Sequence, residues 1–242
     1  MTSSDVPEVS PETTVSRPAR PVRPSGPTVL LIVVVLLLGA SLVLPWWSET
    51  QLAPGPDGGR STQNYAPLTG VTGSCSPACP TYDSGPPVGP IQGTKSFSSV
   101  GLNRTAALYD AVAGLVLVGI AGCALAVVTL PTRAVRPSGR TRFHGAFLGL
   151  ALLASAAASA TLACLQPLAF RADVSAAFAP NASWTASPSP EVSFWGSCSP
   201  GPTNGICASG WSVAWGPGPG WYLITLAAVV LMVVLLIRMR RS

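Results

Sequence analysis

The chain has 242 residues, is 48% hydrophobic and only 10% charged, and carries a formal net charge of +5. An ordinary soluble domain is about one quarter charged. So few charges cannot clothe a water-facing surface of this size, and a soluble globular protein is excluded.

The first 27 residues hold six prolines, few apolar side chains and no periodicity. This composition predicts a disordered tail. The first apolar block, 28–47, follows. It and three others (111–130, 145–165 and 219–237) contain no Asp, Glu, Lys or Arg. Each is close to the ~20 residues that a helix needs to cross ~30 Å of hydrocarbon. Only helices and closed barrels satisfy their backbone groups in lipid. Barrel strands are about half as long and alternate in polarity, so the blocks predict four transmembrane helices. A basic stretch before an apolar run is also the pattern of a cleaved signal peptide. The long Pro-rich leader and an apolar core running on into "LVLPWW" favour a retained anchor.

The predicted layout is therefore an all-α integral membrane protein, a four-helix bundle with a small, partly β extracytoplasmic module. After the tail (1–27) come helix 1 (28–47), outer loop 1 (48–104), helix 2 (105–130) and a basic loop (131–144). Helix 3 (145–167), outer loop 2 (168–218), helix 4 (219–237) and a short tail (238–242) follow. The tails and the basic loop carry ten basic against three acidic residues. The two long loops, with the adjoining helix ends, carry four basic against six acidic. Lys and Arg accumulate on cytoplasmic flanks, so both termini are expected in the cytoplasm of a plasma-membrane protein, with the long loops outside. The Arg-rich, Lys-poor composition suggests a prokaryote. All seven Trp lie at or beyond the outer helix ends. Trp46, Trp47, Tyr109, Trp221 and Tyr222 are expected in the interfacial belt, where apolar rings meet headgroups. The more distant Trp need a folded outer module to bury them.

The word "GSCSP" occurs at 73–77 and again at 196–200. Its cysteine lies 30 residues after Pro45 in the first half and 31 after Pro167 in the second. Each half adds a second cysteine, Cys79 and Cys207, and closes on an aromatic-led helix. Helix, outer loop and helix are thus written twice in the same orientation, as in parallel repeats. Four outer cysteines allow three connectivities. The expected pairs are the local ones, Cys75–Cys79 and Cys198–Cys207, contributing about 2 and about 2.7 kcal/mol by loop closure, against about 5 for a crossed pair. "EVSFWGSC" and "ICASGWSVAW" read as a stapled hairpin with Trp211, Val213 and Trp215 on one face, and Trp195 is expected to be buried with them. Helix 3 is rich in Ala, Ser and Gly. Its Gly145 and Gly149 pair, with Gly114, Gly119 and Gly122 on helix 2, predicts close packing of these two helices with helix 3 central.

The chemistry on offer is sparse. No ionisable group lies within the four blocks, which disfavours a polar transport path. The single histidine, His144, is expected at the cytoplasmic end, away from the outer loops. The C-x3-C and C-x8-C spacings fit structural zinc poorly, so no metal is expected. Four helices with a cysteine pair in each outer loop resemble, in layout, the quinone-linked thiol oxidases of the bacterial DsbB type. That resemblance implies redox roles for Cys75, Cys79, Cys198 and Cys207, a quinone cofactor, and Arg104 beside it. The family's C-x-x-C near the membrane is absent. The leading expectation is a structural or interaction protein with no catalytic residues and no cofactor. Its partners are the lipid bilayer and another envelope or surface protein met through the outer loops, with no nucleic acid.

Overall fold

The computed structural model describes residues 26–53, 55, 59–76, 91–129, 140–178, 193–199, 210 and 212–240. The Pro-rich tail, most of the basic loop, Trp211 and the second cysteine of each pair, Cys79 and Cys207, lie outside them. The elements run α1 (Gly26–Val43), β1 (Trp47–Leu52), β2 (Arg60–Ala66), β3 (Gly70–Ser76), β4 (Gly93–Lys95), α2 (Asn103–Val128), α3 (Arg140–Phe178), β5 (Gly196–Cys198), β6 (Ser212–Pro217) and α4 (Pro219–Met239). All four helices are long and apolar enough to cross a membrane.

Local chemistry sets two of the helix ends. Pro45 lacks an N–H and pushes Leu44 out of helical conformation, so α1 stops short of the predicted Trp47. Pro219 opens α4, where its missing N–H is one of the unbonded groups in any case. The predicted end of the third helix at 167 is overturned. α3 continues through Pro167 to Phe178, 39 residues in all, or ~58 Å at 1.5 Å per residue. One backbone hydrogen bond is lost at the proline, and the turns beyond it are held from outside. The Phe170 ring lies 5.0 Å from Trp47 and 5.6 Å from Tyr65. Asp173 caps α2, whose own N-cap residue, Leu102, makes no side-chain cap bond. Its Oδ1 accepts from the Arg104 N–H at 3.0 Å and its Oδ2 from the Thr105 N–H at 2.8 Å.

α1 packs on α2 and α4, and α3 packs on the same two, with α2–α3 the most extensive contact. The close approach of α2 and α3 is as expected, but α3 is one member of a ring rather than its centre. The small-residue surface is also displaced. Apart from the backbone of α3 itself, nothing among the described residues lies within 4 Å of where a Cβ would stand on Gly145 or Gly149, so no close helix contact is made at this pair among them. The tight contacts are on α2. A Cβ on Gly119 would meet Ser155 Oγ at 3.1 Å, and one on Gly122 would meet the Phe147 carbonyl at 3.0 Å. Ala151, Ser155 and Ala158 of α3 are buried there.

At one end of the helices stands a single antiparallel sheet, ordered β4-β3-β2-β1-β6-β5. An all-α protein with a small β module understates it. The expected β5–β6 hairpin exists, but β6 also pairs along its length with β1, from Trp47↔Pro217 to Leu52↔Ser212. Both long loops therefore contribute to one sheet. It is built directly onto the helices, since β1 follows α1 and β6 leads into α4. The Gly218 N–H donates to the Trp46 carbonyl at 2.9 Å and the Gly220 N–H to the Pro45 carbonyl at 2.8 Å. A Cβ on Gly218 would collide with that Pro45 carbonyl, which is why the link is glycine. The edge strands β4 and β5 have three residues each, short enough to blunt edge-to-edge pairing.

Candidate functional site: the buried face of the sheet

Register and alternation arrange the inward side chains in rows across the strands. The row nearest the helices is Val71, Tyr65, Trp47 and Pro217. The next is Gly73, Gln63, Glu49, Trp215 and Gly196. The third is Cys75, Ser61, Gln51, Val213 and Cys198. The two copies of the repeated word thus occupy the same two rows, each two strands from β1. Their glycines answer to one physical need. A Cβ on Gly73 would run into the Ile91 carbonyl, and one on Gly196 would come within 2.7 Å of the Trp215 ring. In both places a neighbour lies directly over the strand.

Cys75 and Cys198 are disulfide-bonded, and Cys123 and Cys164 are free. The expected partners, Cys79 and Cys207, lie outside the described residues. Four strand spacings of about 4.8 Å separate Cys75 from Cys198, roughly 19 Å. A disulfide spans Cα atoms at most about 7 Å apart, so these two are not bonded to each other.

Between the cysteines lies a polar patch that composition did not reveal. Glu49, Gln51, Ser61 and Gln63 are each at most 5% exposed. The Gln51 Nε2–H donates to Glu49 Oε1 at 2.6 Å. The Tyr65 hydroxyl lies 3.3 Å from both Glu49 Oε2 and Gln63 Oε1. Gln51 Oε1, Ser61 Oγ and Gln63 Nε2 are buried with no hydrogen-bond partner among the described residues. The patch has one carboxylate and no histidine. Among the described residues no three His, Cys, Asp or Glu side chains gather. His144 sits at the other end of the helices, its Nδ1 2.7 Å from the Ala126 carbonyl. Neither a nucleophile with an adjacent base nor a metal donor set is assembled among these described residues, which present hydrogen-bond donors and acceptors.

The aromatic residues expected in a headgroup belt divide. Trp46, Trp47 and Tyr109 are at the sheet-side helix ends but are 0% exposed, so they do not meet headgroups. The Trp46 ring packs on Tyr109 at 5.1 Å, and its Nε1–H donates to the Ser41 carbonyl at 2.7 Å. The Trp47 Nε1–H donates to the Phe194 carbonyl at 3.0 Å. These rings weld sheet to helices. Trp221 is half-buried, with its Nε1–H on the Ser159 carbonyl at 3.1 Å, and Tyr222 is exposed. Trp195, expected in the hairpin interior, is 62% exposed, while Val213 and Trp215 are buried. Arg104, the residue the thiol-oxidase resemblance would put beside a quinone, is exposed at the start of α2. Compared with known families, characterised proteins and solved structures, the chain matches none.

Proposed function

We propose that the protein is a multi-pass protein of the plasma membrane, both termini cytoplasmic, that displays a disulfide-stapled outer sheet for structural or binding purposes and carries out no reaction. The observation that supports this most is that both long loops enter one sheet which continues α1 and leads into α4. A platform so fixed to its anchor suits holding a partner in a set orientation. Local staples, Cys75–Cys79 and Cys198–Cys207, fit its two flanks, and an ancestral duplication fits the matching rows. Arg238 and Arg240 lie at the end away from the sheet, in keeping with the positive-inside rule. A thiol oxidase is the second reading. It needs electrons to pass between the two cysteine pairs, and the ~19 Å between Cys75 and Cys198 works against direct exchange.

Redox titration with thiol trapping tests the proposal. Structural disulfides have potentials below about −300 mV, so the outer cysteines are expected to stay oxidised in glutathione buffers. A pair that titrates near −200 mV, together with reduced client proteins in cells lacking the gene, refutes it. For orientation, a cysteine at Thr62 is expected to react with an impermeant thiol reagent on intact cells, and one at Arg240 to be shielded.

A further inference from the structure

Trp195 is out of place for a water-facing sheet. It is 62% exposed, yet its backbone is firmly held. The Trp47 Nε1–H donates to the Phe194 carbonyl at 3.0 Å and the Trp215 Nε1–H to the Ser193 carbonyl at 3.0 Å. The Ser193 hydroxyl donates to the carbonyl of Trp195 itself. Two buried indoles thus fix the segment that presents a third. Its ring is therefore displayed by the fold and does not belong to a fraying end.

The position of the ring says what covers it. A Cβ on Gly216 would stand 3.5 Å from Trp195 Cβ, so Trp195 lies beside Gly216, three residues before α4 begins. Three residues span at most ~10 Å. The zone between hydrocarbon and water is about 5–8 Å deep on each side of a bilayer. The ring is also linked to the start of α4 by a chain of ring contacts that passes through buried Phe194 and half-buried Trp221. Trp195 packs on Phe194 at 6.1 Å, Phe194 on Trp221 at 5.4 Å, and Trp221 on Tyr222 at 5.2 Å. From Tyr222 an exposed stripe runs down one face through Leu226, Val229 and Val233, at 56%, 48%, 46% and 43% exposure. Those positions recur at helical spacing and face lipid if α4 crosses the membrane.

We infer that Trp195 is a membrane-interface anchor: the β5 flank of the sheet rests on the sheet-side leaflet, with the indole among the headgroups above the lipid-facing stripe of α4. Trp favours that zone because an apolar ring and an N–H donor are both satisfied there. The consequence is directional. Trp195, beside Gly216 in the row of Ser48 and Thr72, stands on the Ser- and Thr-bearing face at its β5 edge, so that edge lies against lipid and the rest of the face, with Thr50 and Thr62, is left for water or a partner.

The test uses the full chain in phosphatidylcholine vesicles carrying bromine at shallow or deep acyl positions. Wild type and Trp195→Phe are compared, a conservative change at an exposed site. Shallow bromines are expected to quench a larger fraction of wild-type emission than of the variant's, and deep bromines to quench both alike. Aqueous iodide is expected to quench that same Trp195 component in detergent-free vesicles only weakly. Equal bromine quenching of the two proteins, with Trp195 emission open to iodide, would put the ring in water and overturn the inference. Far-ultraviolet circular dichroism of the variant confirms that both proteins compared are folded.

Discussion

Gly122→Ala isolates what holds the helices together. The new methyl carbon would stand 3.0 Å from the Phe147 carbonyl oxygen, 3.1 Å from Ala151 Cβ and 3.3 Å from the Ala151 nitrogen. Ordinary contact begins near 3.4 Å, and two of these three atoms are backbone, which no rotamer change can move. α2 and α3 must therefore part by a few tenths of an ångström along their most extensive interface. Without a hydrophobic force between helices in lipid, packing supplies most of the association. Overpacking a filled contact costs about 1–3 kcal/mol, partly offset by up to about 1 kcal/mol of helix propensity gained on leaving glycine. A net loss of about 0.5–2 kcal/mol is expected in a reversible denaturing-detergent titration followed by Trp emission. Gly122→Leu should lose more. Gly149→Leu is the control, since nothing outside its own helix backbone is found within 4 Å of its Cβ, and should leave the midpoint unchanged or raise it by the same gain in helix propensity. A Gly149→Leu loss as large as that of Gly122→Leu would refute the packing described.

Asp173→Ala removes both acceptors that cap α2 and should cost about 0.5–2 kcal/mol, with faster amide exchange at Arg104 and Thr105; Asp173→Asn, keeping one acceptor, should lose less. Gly196→Ala must displace the Trp215 ring, 2.7 Å from the new carbon, and break its hydrogen bond to Ser193. Red-shifted emission and a loss of about 1–3 kcal/mol are expected, and an unchanged spectrum would show that the ring is not held there. Non-reducing peptide mapping should return Cys75 with Cys79 and Cys198 with Cys207. A Cys75–Cys198 peptide would contradict the strand order itself.

What could be read from the residues, and what could not, follows from where each signal acts. The four spans were legible because lipid demands a long charge-free run and tolerates little else. The extension of α3 was not, because the local signal at Pro167 is a helix breaker, and what overrides it comes from distant residues: Trp47 and Tyr65 against Phe170, and the bare N–H groups of α2 against Asp173. Trp46, Trp47 and Tyr109 lie near helix ends but are buried, because an aromatic at a helix end satisfies itself equally against headgroups or against a folded neighbour. Only the sheet above them decides which. The strands of the sheet were the hardest to read, since "WSETQL" and "RSTQNYA" are polar on both faces. In "WSETQL" the buried set is Trp47, Glu49 and Gln51 and the half-covered set Ser48 and Thr50, so hydrophobic alternation gives no inside. The inside is instead imposed by pairing. Once β1 is placed between β2 and β6, Glu49 must face Gln63 and Trp215, and the carboxylate is buried whatever its preference. The repeated "GSCSP" was legible as a word and half legible as a structure. Its cysteine announced a staple, but its glycine carries the information about shape. It stands in the second row on both flanks of β1, where the Ile91 backbone lies over Gly73 and the ring of the cross-strand partner Trp215 lies over Gly196. If the word served only to place a cysteine, alanine would be tolerated at both glycines; the contacts over Gly73 and Gly196 predict that it is not.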